Sequence, residues 1–96
     1  MADVAALPSP VVVRLPAVLV NLFPGALRQV EMSASTVREA IDILNARWPG
    51  MRDRVCDSRP AIRRHINVFV DGEKATLDTP LAPGTEVIIM TAISGG

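Results

Sequence analysis

Val87-Ile88-Ile89-Met90-Thr91-Ala92-Ile93-Ser94-Gly95-Gly96 is the stretch whose reading decides the fold. Its first six residues are mostly β-branched or long and apolar, which marks a strand. Four residues later the sequence ends in two glycines. A terminal strand ordinarily ends near its last paired residue, so the expectation is a short arm projecting beyond the sheet. Gly95 and Gly96 have no Cβ and can thread a passage too narrow for a side chain. Read this way, Ser94, Gly95 and Gly96 form an arm that ends in a free carboxylate and suits delivery into another protein's active site, although the glycine pair alone also fits linker residue.

Working outward, Pro83-Gly84-Thr85-Glu86 is a tight turn feeding that strand. Before it, Leu77 to Leu81 reads as a short strand or a helical turn. Ile66-Asn67-Val68-Phe69-Val70 alternates, with Ile66, Val68 and Val70 inward, and stops at the hairpin signal Asp71-Gly72. The helix lies further upstream. Thr36-Val37-Arg38-Glu39 has the form of a capping box, in which the Thr36 hydroxyl accepts from the Glu39 amide and the Glu39 carboxylate reaches back to the Thr36 amide. Val37, Ala40, Ile41, Leu44 and Trp48 then form one apolar stripe that Pro49-Gly50 stops. Met51 to Val55 adds a helical turn, and Cys56 to His65 is a polar, arginine-rich loop.

At the other end, Val11 to Leu15 is a β-branched strand closed by Pro16. Residues 16 to 27 form an apolar connection with a turn of helix around Ala17 to Leu22. Arg28 to Ser33 is a second strand, with Val30 and Met32 inward. Residues 1 to 10 read as a leader without ordered structure, and residues 11 to 96 as one domain. The order strand, strand, helix, strand, short element, strand describes an α+β domain: a mixed sheet of four or five strands with one main helix on one face. A right-handed crossover through the helix sets the first and last strands side by side in the middle.

Composition narrows the function classes. Ten basic and ten acidic residues give a formal charge of zero, which argues against a nucleic-acid partner bound through phosphate neutralisation. The balance is local rather than uniform. Residues 28 to 65 hold eight of the ten basic side chains against five acids, whereas residues 66 to 96 hold one against four. Prolines 8, 10, 16 and 24, with Arg14, interrupt any hydrophobic helix far short of a membrane span. The single Cys56 excludes an internal disulfide and fits a reducing compartment, so the expected location is cytoplasmic. Cys56 and His65 lack both a third orienting group and metal-ligand spacing, so neither a thiol nucleophile nor a metal site is expected. Gly25, Gly50, Gly72 and Gly84 punctuate turns and build no phosphate loop.

Five stretches in order carry a resemblance: Ser35-Thr36-Val37-Arg38-Glu39-Ala40, Trp48-Pro49-Gly50, Asn67-Val68-Phe69-Val70-Asp71-Gly72-Glu73, Leu81-Ala82-Pro83-Gly84-Thr85-Glu86-Val87 and Ile93-Ser94-Gly95-Gly96. Together they resemble the ubiquitin-like sulfur carriers of the MoaD/ThiS family, in particular its longer MoaD-like and CysO-like members. The resemblance implies a β-grasp fold and a protein that is not itself an enzyme and binds no cofactor. It implies that an E1-like (MoeB/ThiF-like) partner, using ATP and Mg, adenylates Gly96. The resulting thiocarboxylate passes sulfur to a biosynthetic acceptor enzyme in a cysteine, molybdopterin (molybdenum cofactor), thiazole or similar pathway. Met90-Thr91 stands where many members carry a proline, and Val4 to Pro10 has no counterpart, so the pathway stays open.

Two surfaces carry alternative readings. Phe69, Ile88 and Met90 fall on the outward face of their strands and form either a partner-binding patch, as similar surfaces do in ubiquitin-like folds, or a surface covered by the connection after strand one. Arg52, Arg54, Arg59, Arg63 and Arg64 are either a solvated face or a site for an acidic partner. Two other functions fit the same residues: a protein modifier conjugated through Gly96, and a plain β-grasp interaction domain without terminal chemistry.

Overall fold

The computed structural model describes residues 9–91; the tail residues Ser94, Gly95 and Gly96 and most of the expected leader lie outside them. Its strands are β1 (Val11–Arg14), β2 (Gln29–Met32), β3 (Ile66–Val70), β4 (Glu73–Lys74) and β5 (Glu86–Thr91). Its helices are α1 (Ala17–Leu22), α2 (Val37–Arg47) and α3 (Met51–Val55). The strands form one mixed sheet in the order β2-β1-β5-β3-β4. β5 runs parallel to β1 and antiparallel to β3, so the last strand lies in the middle of the sheet. This is the expected β-grasp.

Alternation builds the core. Val11, Val13, Val30, Met32, Val68, Val87 and Ile89 are buried on one side of the sheet, and Val37, Ala40, Ile41 and Leu44 of α2 are buried with them. Complete burial of a side chain such as Leu44 stabilises the fold by about 1.5–3 kcal/mol. Met51 and Val55 extend the same core from α3. The last member of the expected stripe, Trp48, packs partly buried against this core. Trp48 caps α2 instead of continuing it, with its N–H donating to the Leu44 carbonyl at 2.8 Å, and the indole is only half-buried.

The start of α2 differs from the expected capping box in one partner. The Glu39 amide donates to Thr36 Oγ1 at 3.1 Å as expected. The Glu39 carboxylate instead accepts from Ser35, from its amide at 2.6 Å and from its hydroxyl at 2.9 Å. Ser35 offers two donors where Thr36 would offer one. Thr36 is held extended, in an antiparallel bridge with Pro80. Those bonds to Ser35 hold the Glu39 carboxyl below its ordinary pKa.

The fifth strand is also not where the spacing placed it. β4 is the pair Glu73–Lys74, folded onto β3 through Asp71 and Gly72, both at positive φ (49° and 89°). That is the backbone twist a two-residue hairpin requires. Residues 77–81 instead form an irregular segment that buries Leu77 and Leu81 and donates a hydrogen bond from the Leu81 amide to the Ser35 carbonyl at 2.9 Å. Asp71 ties the hairpin to the start of β5: its amide donates to the Glu86 carbonyl at 2.9 Å and its carboxylate accepts from the Glu86 amide at 3.0 Å.

Candidate functional site

The terminal segment continues from Thr91, the last residue of β5, which pairs with Ile66 at the start of β3. Sheet register decides what lies beside that point. Phe69 is opposite Ile88, Asn67 is opposite Met90, and Arg14 is opposite Ile88 on the other flank. Because Val68, Val87 and Ile89 face the core, Phe69, Ile88 and Met90 share the opposite face of the sheet. The alternation therefore placed all three on one surface correctly.

The connection after β1 leaves part of this surface open, with Pro16 and Ala17 beside Ile88 and Met90. Leu19 of α1 is buried in the core, and Phe23 packs toward Gly50, where a Cβ would lie 3.3 Å from the Phe23 ring. Gly50 has φ +101°, so its turn requires a residue free of a side chain on both counts. Met90 is left 47% exposed, and Phe69 and Ile88 half-buried. Polar groups border the patch: Arg14 ion-pairs with Glu86 and donates to Gln29 at 2.8 Å. Where the patch meets the end of β5, Pro16, Arg28, Ile88, Met90 and Thr91 line a cleft of about 510 Å³.

The arginines of the central loop separate into two groups. Arg52 pairs with Asp42, and Arg59 with Asp57. Asp57 accepts from the Arg59 side chain and from the amides of Arg59 and Ala61, which lowers its pKa to about 2. Arg54, Arg63 and Arg64 have no carboxylate within ion-pair distance among the described residues. Arg63 Nε instead donates to the Asp53 carbonyl at 2.7 Å. Arg28, which the sequence reading left out of the site, is held the same way, donating to the Leu15 carbonyl at 2.9 Å. A backbone acceptor leaves no mark in sequence spacing, so nothing local pointed to Arg28.

Cys56 and His65 line different surfaces. Cys56 is buried beside Pro60 and Leu77, and burial pushes its thiol pKa up, away from the thiolate a nucleophile requires. His65 is exposed, in a groove with Leu22, Arg54 and Ile66. Among the described residues, no group of three or more His, Cys, Asp or Glu is placed to hold a metal ion, and no helix is long and apolar enough to cross a membrane.

The fold and sequence are similar to those of known proteins. The chain is 32% identical to the sulfur carrier protein CysO of Mycobacterium tuberculosis over 92 residues, covering 90% of this chain and 98% of that protein. It is 36% identical over 62 residues to small archaeal modifier protein 1 of Haloferax volcanii, covering 65% of this chain and 71% of the relative. The crystal structure of the Amycolatopsis orientalis BexX/CysO complex contains a chain that superposes with a TM-score of 0.78 at 30% identity, over 90% of this chain and 99% of that one. The sequence pattern of one family runs from β1 through the last glycine, residues 13–96, and with the fold it makes this chain a member of the ThiS family.

Proposed function

We propose that the chain is a sulfur carrier whose Gly96 carboxylate is activated by an ATP-dependent, E1-like adenylating enzyme and converted to a thiocarboxylate. The observation that carries the reading is the similarity to CysO over nearly the whole of both chains. It also favours cysteine assembly over a pterin or thiazole product.

The chemistry requires little of the carrier itself. A carboxylate is a poor electrophile. Attack of a Gly96 carboxylate oxygen on the α-phosphorus of ATP, with pyrophosphate leaving, makes an acyl adenylate with a good leaving group. Hydrosulfide attack on the acyl carbon then expels AMP and leaves the thiocarboxylate. A persulfide donor serves equally if a second thiol cleaves the S–S bond of the acyl persulfide. Phe69, Ile88 and Met90 dock the carrier on its partners, and Ser94, Gly95 and Gly96 enter the partner's active site.

Intact-mass analysis tests this directly. Incubation with a ThiF-like enzyme, ATP, Mg and sodium sulfide is expected to exchange one oxygen for one sulfur in the last peptide. No exchange with any adenylating enzyme that accepts the chain would overturn the reading.

The similarity to small archaeal modifier protein 1 favours a second reading, conjugation of the same activated glycine to lysine amines. Covalent ladders on denaturing gels that depend on Gly96 would support it.

A further inference from the structure

Charge is distributed unevenly along β5. At its C-terminal end, where the terminal segment begins, Arg28 lines the cleft beside Met90 and Thr91 on the β1 flank. On the β3 flank, Arg54, Arg63 and His65 line a groove with Ile66, the residue paired with Thr91. Arg64 lies between Arg63 and His65 in the chain and is exposed. At the N-terminal end of β5 acidic residues predominate: Glu86, which pairs with Arg14, Asp71 bonded to its backbone, and Glu73 next to Lys74 beyond the hairpin.

The arginines at the basic end are also unneutralised. Arg14, Arg38, Arg52 and Arg59 each pair with a carboxylate. Among the described residues, Arg28, Arg54, Arg63 and Arg64 pair with none, and nor do Arg47 and Lys74. Arg28 and Arg63 are instead anchored on the carbonyls of Leu15 and Asp53, which fixes the guanidinium groups without cancelling their charge. Asp53 is the one carboxylate residue lining the groove.

We infer that Arg28, Arg54, Arg63 and Arg64 form a basic collar around the root of the C-terminal segment, and that it docks on a ring of acidic side chains at the mouth of the partner's tail-accepting channel. The arginines stand on both flanks of β5 and do not converge on one point, so they suit several carboxylates spread around an opening rather than one compact phosphate. The acidic opposite end turns the carrier so that its tail leads, and such steering raises association rates about tenfold or more. A long polyanion or a membrane surface would gain from the collar alone, but the chain's zero net charge and acidic pole oppose it. The inference rests on the reading that a partner receives Gly96, because only then does the collar ring the point of entry.

Two measurements test it separately. In the first, a deca-glutamate peptide is titrated into the isotopically labelled chain at low salt. Amide and guanidinium shifts are expected to concentrate at Arg28, Arg54, Arg63 and Arg64, and to vanish in Arg54→Glu/Arg64→Glu, whose replaced side chains make no hydrogen bond among the described residues. Shifts spread equally over Arg38, Arg52 and Arg59, or tighter binding of an RNA oligonucleotide or anionic vesicles at the collar, would overturn the inference. This arm needs no adenylating enzyme, so it stands apart from the sulfur-carrier reading.

In the second, a ThiF-like enzyme that thiocarboxylates the wild-type chain is assayed with the double variant. KM is expected to rise about tenfold at low ionic strength with kcat unchanged, and the difference to shrink in high salt. Arg38→Glu/Arg59→Glu, with the same change in net charge, is expected to have a much smaller effect. A fall in kcat alone, or equal effects from both pairs, would overturn the collar, whereas failure of the wild-type chain to react would count against the sulfur-carrier reading only.

Discussion

Phe69 lies directly across the β3–β5 ladder from Ile88, and the two side chains share the sheet face opposite the helices. A cross-strand pair of this kind contributes about 0.2–1 kcal/mol to stability, far less than a core residue. Phe69→Asp is therefore expected to lower unfolding stability by about 1–2 kcal/mol, including the poor strand propensity of Asp. The same change is expected to weaken docking to an adenylating or acceptor enzyme by about tenfold or more, read by titration calorimetry. Unchanged affinity would remove the patch from the interface.

Leu44→Ala and removal of Gly95-Gly96 are expected to behave oppositely. Leu44 is fully buried under the sheet, so its truncation costs about 2–5 kcal/mol in denaturant unfolding. The described ladder closes at Thr91, and loss of the two glycines is expected to leave the unfolding midpoint in place while abolishing thiocarboxylate formation.

Gly50→Ala tests the turn between α2 and α3. It places a Cβ at positive φ and 3.3 Å from the Phe23 ring. The expected cost is about 1–3 kcal/mol. A variant as stable as wild type would mean that this turn relaxes freely.

Asp57 carries a pH signature. Its pKa is lowered from 3.8 to about 2, chiefly by the Arg59 side chain and then by the Arg59 amide. A carboxylate with a depressed folded pKa stabilises the fold above its unfolded pKa, and that contribution is lost as pH falls through the folded one. The loss is expected between pH 3.8 and about 2. Arg59→Ala is expected to move the Asp57 titration, followed by NMR, back toward its ordinary range.

Gly96 and Cys56 are expected to separate cleanly in the sulfur-loading assay. Gly96→Ala, or one appended residue, is expected to suppress loading by clashing in a channel fitted to glycine. Cys56→Ala is expected to load like wild type. A buried, thiol-form Cys56 is poorly placed to carry the sulfur. Loading lost only in the Cys56 variant would point to a side-chain persulfide.

Much of this was legible in the order of residues, for physical reasons that also mark where legibility stopped. Period-two alternation in Ile66 to Val70 and Val87 to Met90 fixes which side chains share a face, because a slip of one residue would invert both strands. The helix was marked by its cap and by the stripe from Val37 to Leu44. Two-residue β4 carries no such period, and its existence depends on how Asp71 and Gly72 turn. Glu39 chose between two adjacent donors, a choice set by the bridge from Thr36 to the distant Pro80. The arginines of residues 52–64 looked like one group until Asp42 and Asp57 were seen to neutralise two of them.

The position of β5 has a mechanical consequence. An edge strand pulled by one end peels away bond by bond, but β5 is hydrogen-bonded on both sides, to β1 and to β3. Tension applied at Thr91 along the strand therefore loads two ladders together in shear. On the function proposed above, a partner enzyme would draw the terminus into its passage against a body anchored by two ladders instead of one.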